Sequence, residues 1–220
     1  MSRKKLIRIN AFYSLSNTLD KPFHLSGHWK DFFGNENPII AELGCGKADF
    51  SVALAQQNPD NNFVAIDIKP DRLCVGAQVA SLKNLKNIIF VKINLQDVDK
   101  LFDKEEVTSI WLTFPDPHPK SSSGHKRLTH RLFLEKYARI LQLNSPINLK
   151  TDNSLLFEFT VNELLICEWT ITFQETNCDL LLSELPELAF HTAFEKIYRQ
   201  RGQRIMFIRA YKPETSSRSD

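Results

Sequence analysis

The sequence has little that would indicate a membrane protein, a secreted scaffold or a metal site. No apolar stretch approaches the roughly 18 residues that cross a bilayer, and the first 20 residues lack the uncharged apolar core of a secretory signal. The four cysteines are far apart and form no C-x-x-C pair, which favours neither a disulfide framework nor a zinc site. We therefore expect a soluble, cytoplasmic protein with reduced, mostly buried thiols and no metal.

The formal net charge of +2 does not by itself indicate a nucleic-acid-binding protein. The basic residues are nevertheless clustered in residues 3–8, 120–131 and 196–204. Three such clusters on a near-neutral chain predict one positive face. For any single cluster an ordinary solvated helix surface is the simpler interpretation, and the first one also has the composition of a short organelle transit peptide.

Apolar runs bounded by turn residues predict seven strands, and the first four runs are continuous, as buried parallel strands are. Segments of helical length and spacing lie between these strands, which predicts a doubly wound, mostly parallel α/β sheet. The predicted strands are residues 38–43, 62–68, 88–93, 107–114, 146–150, 169–173 and 204–211, with the last two as an antiparallel edge hairpin. The predicted helices are residues 48–57, 70–83, 131–141 and 154–166.

A chain of 220 residues is long enough for one such domain, since single domains commonly reach about 250 residues. We expect residues 38–212 to form it. Residues 1–37 are predicted to be a basic N-terminal extension with a short helix, and residues 213–220 a disordered tail.

The segment 114–120 (FPDPHPK) places one acidic side chain between two prolines, directly after an apolar run. Proline fixes its own φ and biases the preceding residue toward extended geometry, so these prolines are expected to hold Asp116 stiffly at the carboxyl end of a strand. We interpret Asp116 as part of a functional site. A proline-rich surface turn that merely ends the strand is the alternative.

A glycine-containing loop, residues 41–46 (AELGCG), lies between the first predicted strand and the first helix. A dinucleotide fingerprint needs a third Gly or Ala where Asp49 stands, and a P-loop needs Ser or Thr where Ala48 stands. The loop therefore does not match a phosphate-binding motif. Glycines at Gly44 and Gly46 would still allow a ligand to approach the main chain closely.

Polar residues at the ends of the first three predicted strands suit a cationic nucleoside without phosphates. Glu42 could accept a hydrogen bond from an ammonium group, and Asp67 stands where an acid binds both ribose hydroxyls. Asn94 could contact an adenine edge. S-adenosylmethionine has this chemistry, and residues 42–46 with Asp67 and Asn94 resemble the cofactor motifs of class I, Rossmann-like methyltransferases that use it.

Four further segments resemble, in order, the motifs of the tRNA (guanine-N7)-methyltransferase family of the TrmB type. They are residues 114–120, 125–129 (HKRLT), 150–153 (KTDN) and 192–195 (TAFE), within a resemblance that extends from about residue 38 to residue 209. The resemblance implies methyl transfer from S-adenosylmethionine to N7 of guanosine-46 in the variable loop of tRNA. Guanine N7 carries a lone pair and no proton, so this reaction requires no strong base.

The resemblance also implies roles for individual residues, with Asp116 as the catalytic one. The implied cofactor contacts are Glu42, Gly44, Gly46, Asp67, Asn94 and Asp116. The implied substrate contacts are Lys120, Asp152, Thr192 and Glu195, and we expect Lys126 and Arg127 to meet RNA phosphates. The sequence departs from the family at His118, where Trp is usual, and at residues 121–123 (SSS), where a basic stretch is usual; weaker tRNA binding or loop order is expected there.

Several of these residues have a structural alternative. Glu42 could cap the glycine loop, Asp152 could cap the helix that follows it, and Thr192 with Glu195 also has the spacing of a capping box. Two other functions also fit: a methyltransferase of the same fold with a small-molecule or protein substrate, and a non-catalytic tRNA-binding subunit. A monomer, a homodimer and a complex with a separate non-catalytic partner are all compatible with the sequence.

Overall fold

Eight strands form one sheet in this computed structural model, which describes residues 2–213. Their order across the sheet is β1-β4-β3-β2-β5-β6-β8-β7. The strands are β1 (Thr18–Asp20), β2 (Ile39–Leu43), β3 (Asn62–Asp67), β4 (Ile88–Lys92), β5 (Ser109–Thr113), β6 (Pro146–Thr151), β7 (Thr170–Glu175) and β8 (Met206–Tyr211). Strands β1 to β6 pair in parallel, and β8 pairs antiparallel with both β6 and β7. The predicted mostly parallel α/β sheet with antiparallel strands at one edge is confirmed.

Helices cover both faces of the sheet, as the alternation of strand and helix patterns predicts. They are α1 (Arg3–Phe12), α2 (Trp29–Phe33), α3 (Asp49–Gln57), α4 (Pro70–Leu82), α5 (Val98–Leu101), α6 (Arg131–Ile140), α7 (Ser154–Ile166) and α8 (Ala193–Gln200). The four helices predicted from periodicity are present, with ends that differ from the prediction by no more than one residue. No helix among the described residues is both long and apolar enough to cross a membrane.

The N-terminal segment was predicted to be an extension outside a seven-stranded sheet. In the structure it contributes an eighth strand, β1, to that sheet. Strand β1 lies parallel to β4, with Thr18 opposite Phe90. The side chain of Phe12 at the end of α1 is buried in the same apolar cluster as residues of α4. A three-residue strand is too short to show periodicity, so the sequence pattern gave no signal for β1. Residues 214–220 of the predicted tail lie outside the described residues.

Two apolar clusters, one on each face of the sheet, make up the core. One contains Trp29, Leu112 and Tyr137, and the other contains Phe50 and Trp111. Trp111, which is 3% exposed, lies on β5 between the rings of Phe50 and Phe207. All four cysteines are free thiols, and three of them are buried while Cys167 is half-buried.

The strand order changes direction around β2, because β3 lies on one side of it and β5 on the other. In open parallel sheets the crevice at the carboxyl ends of such strands is the usual ligand site. The glycine loop follows β2, Asp67 ends β3, and the loop with Asp116 follows β5. Topology therefore brings together three segments that are distant in sequence.

Candidate active site

Two adjoining cavities open at the carboxyl ends of the central strands. The first has a volume of about 390 Å³ and the second about 450 Å³. Gly44, Arg72 and Phe114 line both of them. Further lining residues of the first cavity are Asp67, Ile68, Lys69, Asn94, Leu95, Gln96, Pro115, Asp116, His118, Lys126, Leu128 and Phe133. Further lining residues of the second are Cys45, Gly46, Lys47, Asp49, Thr113, Thr192, Ala193, Phe194 and Ile197.

The glycine loop needs both of its glycines. Gly44 and Gly46 have φ values of +74° and +58°, in the left-handed region that residues with a Cβ rarely adopt. A Cβ on Gly44 would also lie 3.1 Å from the Leu128 side chain. No heavy atom lies within 4 Å of the position that a Cβ on Gly46 would take, so its backbone is open to a ligand.

Asp67 lies at the bottom of the first cavity and is 7% exposed. Its Oδ2 accepts a hydrogen bond from the Gly46 amide at 2.9 Å, and its Oδ1 accepts one from the Lys69 amide at 2.8 Å. An ionised carboxylate can accept about four hydrogen bonds, so acceptor capacity remains for a ligand. Asp67 thus ties the glycine loop to the end of β3 and faces the cavity at the same time.

Asn94 is exposed and also lines the first cavity. Its Oδ1 accepts a hydrogen bond from the Gln96 amide at 3.1 Å and caps the 3₁₀ turn 95–97. The amide nitrogen of the Asn94 side chain remains available as a donor. Leu95, Leu128 and Phe133 supply apolar surface beside it, which is suited to a flat ring.

Glu42, predicted to contact the cofactor, instead lies beneath the glycine loop and lines neither cavity. Its carboxyl group is 2% exposed and accepts hydrogen bonds from the Ser51 amide at 3.1 Å and from the Thr113 hydroxyl. This position agrees with the alternative that Glu42 caps the loop, and the cofactor contact of Glu42 stays a prediction. Burial raises the pKa of Glu42 from its ordinary value of 4.5 to about 7, although these hydrogen bonds favour the ionised form.

We expect Glu42→Gln to flatten the dependence of stability on pH. Between about pH 4.5 and pH 7 the folded protein holds a proton on Glu42 that the unfolded chain has lost, so the free energy of unfolding falls as pH rises through this range. The raised pKa corresponds to a decrease of about 3 kcal/mol in the free energy of unfolding across this pH range. The glutamine variant has no titrating group at this position and would not show the decrease. Urea denaturation at several pH values from 5 to 8 measures the free energy of unfolding of each protein. Glu158 is exposed, so Glu158→Gln should retain the wild-type slope of unfolding free energy against pH. The same slope in Glu42→Gln would contradict a raised pKa for Glu42.

The loop that follows β5 turns more sharply than predicted. Phe114 and His118, which each precede a proline, have φ values of +52° and +39°. The expected extended geometry is therefore wrong at both positions. The Phe114 amide still donates to the Lys150 carbonyl at 2.8 Å, so the chain leaves the sheet only after this bond. The turn leaves the half-buried side chain of Phe114 in the wall of both cavities, where it also packs against the apolar cluster that contains Phe50 and Trp111.

Asp116 projects from this loop with 72% of its side chain exposed, and it lines the first cavity. One oxygen, Oδ1, accepts a hydrogen bond from the His118 amide at 3.0 Å. The other oxygen is available for a ligand. The position agrees with the prediction that Asp116 is presented at the carboxyl end of a strand.

Arg127, predicted to meet phosphate, is engaged within the protein. Its guanidinium donates to the carbonyl of Pro117 at 2.9 Å and to that of His118 at 3.0 Å. It also lies over the Phe159 ring, 4.3 Å from the centroid. Arg127 therefore holds the strained loop around Asp116 in place, because its planar fork fits two carbonyls that a lysine could not span in the same way.

The other predicted substrate contacts fall in different places. Lys126 lines the first cavity and Thr192 the second, whereas Lys120 is exposed on the loop between Asp116 and the 3₁₀ turn 121–126. Asp152 lines neither cavity. The alternative that Asp152 caps α7 is wrong, because Asn153 is the cap and accepts from the Leu156 amide at 2.9 Å.

Glu195 is fully buried in this structure, and its contact with substrate stays a prediction. Its Oε2 lies 2.7 Å from Nζ of Lys150, also fully buried, and its Oε1 lies 2.9 Å from Nε of Arg199. Thr192 caps α8, accepting from the Glu195 amide at 3.0 Å. The capping role predicted for Thr192 is thus present, but the Glu195 side chain does not reach back to the cap. It anchors α8, which carries Phe194 to the wall of the second cavity against Phe114.

Arg72 and Lys150 were not assigned a role from the sequence. Arg72 lies in the first turn of α4 and lines both cavities; its position shortly after the end of β3, a strand predicted to end at the site, could have indicated this. Lys150 opens the segment 150–153 that resembles a family motif, but its burial was not predicted, since a lysine within an apolar strand is ordinarily expected to reach solvent. Its burial depends on Glu195, which is 45 positions away in the chain.

A family model described as a putative methyltransferase matches residues 36–208. A relative from Bacteroides fragilis (strain YCH46) is 38% identical over 205 residues, which cover 92% of this chain and 80% of the relative. One from Clostridioides difficile (strain 630) is 38% identical over 200 residues and 91% of each chain. One from Cytophaga hutchinsonii is 33% identical over 217 residues, 95% of this chain and 97% of the relative. All three are named tRNA (guanine-N(7)-)-methyltransferase.

Solved structures of methyltransferases share the fold. The structure of the 16S rRNA methyltransferase KamB is similar with a TM-score of 0.63 and 12% identity, over 85% of this chain and 94% of that one. An antibiotic-related methyltransferase has a TM-score of 0.61 and 17% identity, over 84% of this chain and 92% of that one. At these identities the likeness concerns the fold, and it confirms the predicted Rossmann-like methyltransferase architecture.

Proposed function

The chain belongs to the tRNA (guanine-N7)-methyltransferase family, and from this premise we propose that it transfers the methyl group of S-adenosylmethionine to N7 of guanosine-46 in the tRNA variable loop. The observation that carries the proposal is the pair of adjoining cavities at the sheet's switch point, with Asp116 in the wall of the first. One cavity suits the cofactor and the neighbouring one suits an entering base. A tRNA substrate also agrees with the cytoplasmic location expected from the sequence.

The residues of the first cavity fit S-adenosylmethionine. Asp67 retains acceptor capacity for the two ribose hydroxyls, and the Asn94 side-chain amide can donate to the adenine edge. The apolar wall provided by Leu128 and Phe133 suits the adenine ring. Gly44, which lines both cavities, has no Cβ, so the amino acid end of the cofactor has room beside the main chain.

S-adenosylmethionine supplies an electrophilic methyl group bound to sulfonium sulfur. The protein's part in the reaction is to align the guanine N7 lone pair with that methyl group, and such alignment can contribute about 7–11 kcal/mol to catalysis. Phe114 and Phe194, whose ring centroids are 5.5 Å apart, form an aromatic wall against which the base can stack. Asp116 can accept a hydrogen bond from the guanine edge, and its negative charge favours the cationic methylated base.

The proposed function is tested with tritiated S-adenosylmethionine and an unmodified tRNA transcript that has guanosine at position 46. After the reaction, borohydride and aniline cleave the RNA at N7-methylguanosine and so locate the methyl group. A transcript with adenosine at position 46 is the matched control. We expect label and cleavage in the first transcript at position 46 and neither in the second.

The other outcomes separate the rival functions. Label that appears equally in both transcripts would overturn position 46 while retaining tRNA as substrate. Binding of both cofactor and tRNA with no label would favour a non-catalytic tRNA-binding subunit. Cofactor binding without tRNA binding would favour a methyltransferase with a small-molecule or protein substrate.

Arg127→Lys is expected to lower kcat for methyl transfer about 10- to 100-fold while the salt dependence of tRNA binding stays at the wild-type value. The lysine retains the charge but cannot donate to both the Pro117 and His118 carbonyls, so Asp116 loses its fixed position. Lys126→Ala, which removes a charge at the cavity rim, is the matched comparison and should weaken tRNA binding with a shallower salt dependence. Wild-type kcat in Arg127→Lys would contradict the positioning role, and urea denaturation checks that each variant is folded.

A further inference from the structure

A third cavity of about 330 Å³ lies between α3, α4 and α8 and is lined by three lysines. Lys47 directly follows the glycine loop, Lys83 directly follows α4, and Lys196 lies on α8. We call this cavity the lysine groove. Its remaining lining residues are Asp49, Val52, Ala53, Gln56, Gly76, Val79, His191 and Ala193.

The charge of the lysine groove is positive. Among the described residues that line it, Asp49 is the one acid, and its Oδ2 accepts a hydrogen bond from the Ala193 amide at 3.1 Å. Lys47, Lys83 and Lys196 are all exposed, and Lys83 donates to the neutral Gln56 side chain. Burial lowers the pKa of His191, so the lysines rather than this histidine carry the positive charge at neutral pH.

The lysine groove is continuous with the two cavities of the proposed active site. Lys47, Asp49 and Ala193 line both the groove and the second cavity, which in turn shares Gly44 and Phe114 with the first. The floor of the groove is close-packed at Gly76, where an added Cβ would lie 2.4 Å from the Lys47 carbonyl oxygen. This close approach of α4 to the glycine loop fixes Lys47 at the junction between the groove and the second cavity.

We propose that the lysine groove binds backbone phosphates of the RNA strand next to the methylated nucleotide, an inference that rests on the proposed function. A base that enters the second cavity has to leave its stack, and the strand beside it then needs an anchor. Lysine ammonium groups are flexible point charges that bind phosphate without reading sequence. The three lysines are spread along one groove that is continuous with the second cavity. This arrangement suits a chain of phosphates better than a compact anion.

The test uses the full-length protein with Lys83→Ala/Lys196→Ala, two lysines that line the groove and neither cavity of the proposed active site, and with Lys47→Ala added. Lys104→Ala is the matched control, because Lys104 is exposed in the turn before β5, whereas the site lies at the carboxyl ends of the strands, and Lys104 does not line the groove. The binding of an unmodified tRNA transcript is measured in the presence of S-adenosylhomocysteine at potassium chloride concentrations from 50 to 200 mM. Methyl transfer is measured over the same range at saturating cofactor.

We expect the double variant to bind tRNA about 10-fold more weakly at 100 mM salt, with kcat at saturating tRNA and the affinity for S-adenosylhomocysteine unchanged. The slope of log affinity against log salt should become shallower by about one for each lysine removed. Affinity and slope equal to those of Lys104→Ala would overturn the groove as a phosphate site. Failure of the proposed function would be seen in a different measurement, as a wild-type protein that transfers no methyl group to tRNA. The two failures are distinguishable because tRNA binding is measured without turnover.

Discussion

Asp116→Ala is expected to lower the rate of methyl transfer to tRNA about 100- to 1000-fold and to leave the fold intact. The side chain is 72% exposed and makes one internal hydrogen bond, from the His118 amide, so little stability depends on it. Its loss from the cavity wall removes the negative charge that favours a cationic product. Single preorganised groups of this kind are worth about 10²–10³ in rate.

Asp116→Asn separates the two contributions of this side chain. Asparagine keeps an oxygen that can accept from the His118 amide and so preserves the loop, but it has no charge. We expect it to be almost as slow as the alanine variant if the charge dominates, and close to wild type if the hydrogen bond to the loop dominates.

The rates of both Asp116 variants are measured in single turnovers at saturating cofactor and tRNA, so that a binding defect is not mistaken for slow chemistry. The control is Asp60→Ala, an exposed aspartate in the turn between α3 and β3. A wild-type rate in Asp116→Ala would remove Asp116 from the mechanism. A large fall in the free energy of unfolding would instead show that its role is structural.

Glu195→Leu is expected to lower the free energy of unfolding by about 3–5 kcal/mol, because it leaves Lys150 buried without its counter-ion. The ammonium group of Lys150 would keep only the carbonyls of Leu188 and Phe190, at 3.3 and 3.2 Å. Breaking a buried pair on one side is costly, whereas replacing both partners with apolar residues of similar volume is often tolerated. The double variant Lys150→Met/Glu195→Leu should therefore recover most of the lost stability.

Urea denaturation of the wild type, the two single variants and the double variant completes the cycle and isolates the coupling between Lys150 and Glu195. Arg131→Met, which breaks the bidentate pair between half-exposed Arg131 and Glu163, is the control for a pair closer to solvent. Additive losses in the double variant would show that the two groups are not coupled. Because α8 carries Phe194 to the second cavity, the single variants should also raise KM for tRNA.

The sequence alone determined the order of β2 to β8 and of the helices α3, α4, α6 and α7, together with the three polar segments at the carboxyl ends of β2, β3 and β5. These features depend on local chemistry: apolar runs predict buried strands, periodic apolar residues predict helices, and glycine and proline mark the loops. Asp67, Asn94 and Asp116 were predicted at cavity walls, and they lie there, because each ends or follows a strand whose topology the pattern defines.

Only the tertiary structure decided which polar side chains face the cavities and which are held within the protein. Glu42, Arg127 and Glu195 carry groups that suit a ligand, but Ser51, the loop at Pro117 and Lys150 engage them first. The lysine groove likewise joins residues from three separate helical regions. Hydrogen bonds and ion pairs between residues distant in sequence leave no periodic pattern, so the partner of a buried charge becomes apparent only when the chain is folded.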